Sequence, residues 1–390
     1  MRTYLEKVAG PIDGRNIDPE LGLLEGEGAL QRVRAPVVAR PPWRVLQETP
    51  SKAFAQGPTY YGLPLLKEHV WIWSVPAYFW VGGITGASSV LAAVAQASGD
   101  ERLRPLVAKA HWTATIGSAL SAALLVHDLG RPTRFHHMLR VFRPTSPMNL
   151  GAWILSLSGA LSGASALFAD REGVVGRLAS ASGYGAALFG VALAGYGGVL
   201  LANTAVPVWQ STHRELPVLF LSSAVASAGA TLELLPVGEH GRKVARRFGN
   251  LGKAAELVSS FALQRAASKV VTVGRPLHHG LSGTMWRAAK VLTLTSLAMS
   301  LWPTRRRWVK TAAALIANAG SLSMRFAITR AGKASARDPR ASFDQQRAGW
   351  GGAAVEGRAA RIGPPPERPR APSWLSPEPA SERFAPPSPS

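Results

Sequence analysis

The feature that most constrains this chain is a succession of long apolar runs between residues 75 and 328, parted by polar breaks. A helix needs about 20 mostly apolar residues to cross the hydrocarbon of a bilayer. Only helices and closed barrels satisfy every backbone polar group there. Eight segments meet or approach that length: 75–97, 106–126, 150–169, 178–202, 216–235, 251–273, 281–302 and 309–328. The sixth is the least apolar, because Lys253, Glu256, Gln264, Arg265 and Lys269 lie in it. Without it, seven helices would leave the termini on opposite sides. The reading adopted is an all-α integral membrane protein of eight transmembrane helices, with both termini on one side.

The flanks are a different material. Residues 1–70 form an extramembrane N-terminal segment, 71–331 the eight-helix membrane domain, and 332–390 a disordered Pro-rich C-terminal tail. The tail carries Pro364–Pro366 and Pro386–Pro389 among Ser, Arg and Glu, a composition that buries no core. Trp43, Phe54, Tyr60 and Tyr61 give the N-terminal segment apolar anchors against the membrane or a partner. Residues 1–40 lack the apolar stretch of a secretory signal. The net charge of +21 lies beside the apolar runs and in the tails, the pattern of a protein meeting anionic membrane lipids rather than nucleic acid. Short basic loops at 242–247 and 305–310 favour the cytoplasm, which puts both termini outside.

The chain has no cysteine, which excludes disulfides, protein-held iron–sulfur clusters and thiolate zinc sites. Its nine histidines all fall in loops or near helix ends, so no facing pair is placed to hold a membrane haem. Any electrons must therefore come from a partner.

Ionisable groups within a membrane are costly and so mark candidate sites. The densest cluster follows the second helix: His127, Asp128, Arg131, Arg134, His136, His137, Arg140 and Arg143. It sets an imidazole and a carboxylate at the membrane boundary beside guanidinium groups. Two-electron quinone chemistry moves two protons and needs such a proton source. The same residues equally suit a basic loop binding lipid phosphate, with Asp128 in a structural salt bridge. Tyr196 and Asn203, seven residues apart on the fourth helix, share one face. A tyrosine hydroxyl can bond a quinone carbonyl, or simply a neighbouring helix; Tyr78 on the first helix has the same two readings. Trp71, Trp73 and Trp80 read as interfacial belt residues. Gly82 with Gly86, and Gly159 with Gly163, are small-residue pairs that let helices approach closely. Glu256 and Arg325 are a buried ion pair, a snorkelling pair or part of a proton route. They also suit a rival reading, a membrane transporter or ion-conducting protein without quinone chemistry, although no inverted repeat supports it.

Four motifs resemble the NrfD/polysulfide reductase membrane-subunit family over about residues 60–346: WIWSVPAYFWVGGITGASS, DLGRPTRFHHMLRVFRPTSPMNLGAW, GYGGVLLANTAVPVW with ELPVLFLSSAVASAGA, and GKASARDPR. The resemblance implies a multi-pass subunit of the plasma (inner) membrane, not catalytic alone and with no redox centre of its own. Its quinone pocket would lie in the first four-helix bundle. It would exchange electrons between the quinone/quinol pool (menaquinone or ubiquinone) and a four-cluster ferredoxin-like iron–sulfur subunit. That partner would serve a molybdopterin catalytic subunit of formate dehydrogenase-like type. Carried over residue by residue, Tyr78 falls on a polar pocket position, Tyr196 on the pocket tyrosine and Asp128 on the acidic position after the second helix. His127 and Arg131 flank that position. At Asn203 the resemblance implies an aspartate, and the amide here removes one proton-carrying group.

Overall fold

The computed structural model describes residues 64–129, 131–304 and 306–347. Among them the chain is all-helical. Eight helices have 20 residues or more: α1 (Ser74–Ala97), α2 (Arg104–Asp128), α3 (Pro147–Phe168), α4 (Gly173–Ala202), α6 (Glu215–Leu234), α7 (Gly238–Ala267), α9 (Gly280–Leu301) and α10 (Arg307–Arg337). Three short helices interrupt the series: α5 (Pro207–Ser211), α8 (Val271–His278) and α11 (Pro339–Arg347). Four helices, α1, α3, α4 and α6, are long and apolar enough to cross a membrane. The protein is a multi-pass membrane protein. Trp43, Phe54, Tyr60 and Tyr61, and the prolines of the tail, lie outside the described residues.

Helices alternate between two faces. The proximal face holds the start of α1, the 3-10 segment Pro132–Leu139, and the short helices α5, α8 and α11. The distal face holds the tight connections after α1, α3, α6 and α9. Helices α1–α4 form one unit and α6, α7, α9 and α10 a second. They meet where α1 packs on α6 and α10, and α4 on α6.

Packing relies on small residues and hydroxyls, as expected where lipid offers no hydrophobic contrast. At the α1–α4 crossing the Gly86 and Gly190 backbones touch; a Cβ on Gly190 would stand 2.6 Å from the Gly86 carbonyl oxygen. Gly229 and Gly249 make the matching crossing of α6 and α7. Of the expected pairs, only Gly86 and Gly159 are close-approach points: a Cβ on Gly82 or Gly163 would make ordinary contacts, the nearest at 3.4 and 3.6 Å. Hydroxyl pairs bridge the crossings: Ser89–Ser162 at 3.1 Å, Ser222–Ser259 at 3.1 Å and Ser223–Ser321 at 2.6 Å.

Two boundaries differ from expectation. The sixth helix runs Gly238–Ala267 rather than 251–273, so the basic stretch 242–247 is helix, not loop. Gly241, Ala245, Gly249 and Gly252 recur at helical spacing and are buried, which leaves Arg242, Lys243, Arg246 and Arg247 less buried, although Lys253 and Glu256 further along are buried too. The last long helix continues past 331 to Arg337, and α11 follows. Its final turns have partners to hold: Lys333 Nζ donates to the Trp71 carbonyl at 2.8 Å, and Arg337 grips both Glu68 oxygens at 2.7 and 2.8 Å.

Candidate functional site

The six residues read as a quinone site, Tyr78, His127, Asp128, Arg131, Tyr196 and Asn203, lie toward the proximal end of the first unit, whereas Glu256 and Arg325 lie in the second. Tyr78 is in the second turn of α1 and 4% exposed. Tyr196 is in α4, two turns from its end, and 6% exposed. The two phenols are near enough to interact electrostatically. Their hydroxyls are not equivalent. Tyr196 donates to the Pro147 carbonyl at the start of α3, and its ring fills the space over Gly151, where any Cβ would overlap it. Tyr78 makes no hydrogen bond among the described residues, and its ring lies along Gly82, whose open side the Ser121 hydroxyl of α2 also approaches.

Asp128 closes α2 and holds the start of α1. It accepts from the Ile72 amide at 3.2 Å and the Ser74 hydroxyl at 3.5 Å. This supplies the carboxylate that the first turn of α1 lacks, since Trp73 at the N-cap has no capping side chain. His127 is exposed beside Trp73, ring centroids 5.5 Å apart. Arg131 is exposed and opens the 3-10 segment. Asn203 is not drawn into this group: it is the exposed C-cap of α4, and its amide donates back to Val199 of its own helix. Asn149 fixes the loop between α2 and α3. Its Nδ2 donates to the Met138 carbonyl at 2.5 Å and the Val141 carbonyl at 3.0 Å, and its Oδ1 accepts from the Arg143 amide at 2.7 Å.

The last motif, GKASARDPR, binds the two units at the same face. Gly332 lets the Trp209 indole pack on the α10 backbone, and the indole nitrogen donates to the Ile328 carbonyl at 3.0 Å. Ser335 accepts from the Val208 amide at 3.2 Å. Lys333 and Arg337 make the contacts to Trp71 and Glu68 given above. Trp71 is therefore a packing residue, stacked on Trp209 with centroids 6.0 Å apart, whereas Trp73 is 58% exposed, as a belt residue should be.

Two histidines that sequence reasoning passed over, His69 (half-buried) and His111 (buried), have both ring nitrogens shielded and unpaired among the described residues. His111 lies within α2, against Gly183 of α4, and not at a helix end. The only sequence signal for either is a lone imidazole, beside Val70 and Trp71 for His69 and beside Ala110 and Trp112 for His111. His69 sits between Trp71 and Trp209, centroids 4.8 and 4.9 Å away. Burial, then the charges of Lys333 and Arg337, lower its pKa from 6.5 to about 3. The unfolded chain therefore binds a proton in that window that the folded chain refuses. Stability should fall as pH drops from 6.5 toward 3, by up to about 1.4 kcal/mol per pH unit from this residue. Thermal unfolding across that range should be less acid-sensitive in His69→Phe than in the parent; identical slopes would show that His69 is not held neutral.

Among the described residues no cluster of three His, Cys, Asp or Glu can hold a metal ion. Two surface clefts lie away from the tyrosines. One is at the start of α4, beside Arg171, Arg177 and Tyr184, and the other is around Arg275, His278 and His279.

The NrfD_2 family model, described as polysulfide reductase, matches residues 58–337, well over half of the 390-residue chain. The chain belongs to this NrfD-like family. Comparison with curated proteins gives no match. The matched region starts before the Glu68–Trp71 strap and ends on Arg337, its partner, so it holds the first three motifs whole and the fourth as far as Arg337.

Proposed function

We propose that this NrfD-like protein is the quinone-reactive membrane subunit of a respiratory oxidoreductase complex, crossing the bilayer eight times. It is not catalytic alone. It passes electrons between the quinone/quinol pool and an extrinsic four-cluster iron–sulfur subunit, which serves a molybdopterin enzyme of formate dehydrogenase-like type. Family membership supports this reading over a transporter. Within the chain the supporting observation is the Tyr78 hydroxyl: a phenol on a 4% exposed residue of α1, beside a second phenol, with no hydrogen bond among the described residues. A quinone carbonyl would give this hydroxyl an acceptor.

The residues fit such a head group. Tyr78 would donate to one carbonyl oxygen, and Tyr196, by rotating its hydroxyl from Pro147, would donate as well. A quinone, when bound, supplies the two-electron, two-proton couple. Asp128 and His127, at the aqueous end of α2, would exchange protons with water, and the 127–149 loop on that face would dock the iron–sulfur partner.

Tyr78→Phe is the cleanest test because it removes an oxygen and no protein hydrogen bond. Affinity for short-chain ubiquinone or menaquinone analogues should fall roughly 5- to 150-fold. The thermal midpoint should stay the same or rise. Tyr196→Phe should weaken binding as well but also free the Pro147 carbonyl, and so cost some stability. In the intact complex, quinone-linked turnover should fall while turnover with a dye that takes electrons from the partner stays constant. Unchanged affinity in both variants places the pocket elsewhere.

A further inference from the structure

The second helix unit contains three ionisable side chains that the quinone reading does not use. Lys253 is 2% exposed, Glu256 4% and Arg325 0%. A structural salt bridge at such depth would need direct contact and full hydrogen bonding to offset desolvation. Here neither condition holds. Among the described residues none of the three makes a direct ion pair, and Glu256 Oε2 and Arg325 Nε and Nη1 have no hydrogen-bond partner.

Their arrangement is a line that starts at the distal face. Arg246 Nε meets Glu233 Oε1 at 2.7 Å, where α7 passes the end of α6. Arg246, Asn250, Lys253 and Glu256 follow at spacings of four, three and three, and so share one face of α7 over about 15 Å. Lys253 Nζ donates to Ser300 of α9 at 2.7 Å and to Asn250 at 3.2 Å. Glu256 is within hydrogen-bond reach of Ser223 of α6, which pairs with Ser321 of α10. One turn on, Arg325 lies 3.9 Å over the Phe220 ring and donates to the Phe220 carbonyl at 2.9 Å. Its guanidinium reaches α1 at Gly83, where a Cβ would stand 3.4 Å from Nη2. Beyond Glu256 toward the proximal face the buried side chains include Leu263, Trp286, Met324 and Ile328, and Gln264 accepts there from Trp286 Nε1 at 3.1 Å and Lys290 Nζ at 2.6 Å.

We propose that Glu256 is the buried station of a proton path that opens at Glu233 and Arg246 on the distal face and ends at the boundary with the first unit. A proton enters from distal water, passes the Asn250–Lys253–Ser300 group and protonates the Glu256 carboxylate. Release reverses the step, and only N–H and O–H bonds change. Arg325 cannot give up its proton and acts as a fixed charge that keeps the carboxylate form accessible. The groups that act on the Glu256 carboxyl are Ser223 of α6, Lys253 of α7 and Arg325 of α10, with Ser300 of α9 acting through Lys253; Ser259, paired with Ser222 of α6, donates to the Glu256 backbone carbonyl at 3.2 Å. The path neither needs nor touches the tyrosine pair.

The test is infrared difference spectroscopy of the full chain in lipid nanodiscs, between acid and alkaline pH. A protonated-carboxyl C=O band should appear on acidification, shift in D₂O, vanish in Glu256→Gln and move in Glu256→Asp. The aspartate variant keeps the assignment possible should the glutamine variant fail to fold. Glu233→Gln with Arg246→Gln should keep the band but slow its deuterium exchange roughly tenfold. A carboxyl that stays ionised throughout, or a band untouched by both Glu256 variants, overturns the proposal. So does exchange unaffected by the entrance variants. No readout passes through a quinone, so failure here leaves the quinone reading standing, and the reverse.

Discussion

Gly190→Val will part α1 from α4 and carry Tyr78 away from Tyr196. The Gly190 α-carbon faces the Gly86 carbonyl oxygen across the crossing, and even one added carbon would stand 2.6 Å from it. The obstacle is backbone, which cannot turn aside as a side chain can. Overpacking a core usually costs about 1–3 kcal/mol, and a rigid backbone contact puts valine at or beyond the upper end. The crossing also loses the close backbone contacts that substitute for hydrophobic driving force in lipid. Gly163→Ala is the matched control, since its new carbon would lie an ordinary 3.6 Å from Thr115. It should be neutral or gain about 0.5–1 kcal/mol from a better helix former. Thermal unfolding in detergent and quinone-analogue binding would read both variants. Equal behaviour of the two would show that the α1–α4 crossing does not set the fold.

Arg325→Met should be nearly as damaging. The guanidinium is a fixed positive charge beside Glu256, and losing it with its charged hydrogen bond should cost about 1.5–3 kcal/mol. The loss includes its hydrogen bond to Phe220 and its place over that ring. The effect is conditional on the acid. In Glu256→Gln the residue has no carboxylate to compensate, so Arg325→Met in that background should cost much less. A double-mutant cycle on thermal stability measures the difference. Additive losses would mean that Arg325 supports the Phe220 contact alone and has no bearing on the carboxylate.

Much of this was legible from the residues, and the reasons for the exceptions are physical. Runs such as 75–97 and 178–202 announce helices because lipid demands continuous apolar length, and α1 and α4 occupy almost those residues. The start of α7 is hidden by the same logic. Arg242, Lys243, Arg246 and Arg247 lower the hydropathy of a stretch whose helical signal is a stripe of Gly and Ala. A hydropathy window averages that stripe away. Tyr78, Tyr196 and Asp128 fall at one end of one unit because alternate helices reverse direction, a relation that can be counted from sequence. Which hydroxyl is engaged and which is open cannot be counted, since it depends on the Pro147 carbonyl 49 residues from Tyr196. Asn203 fails to join the group because a C-cap amide finds its own helix first. His69 and His111 carry no motif; only burial sets them apart.

The strap between Lys333 and Trp71 joins residues separated by 262 positions, and the Arg337–Glu68 grip spans 269. During synthesis, then, the lead-in to α1 waits for its fastening until the ribosome has made almost the whole membrane domain. A chain released early would keep the first four helices but leave that lead-in loose, with His69 facing water rather than packed between two indoles. The strap thus distinguishes a finished subunit from an abandoned one at the face where the iron–sulfur partner is proposed to dock.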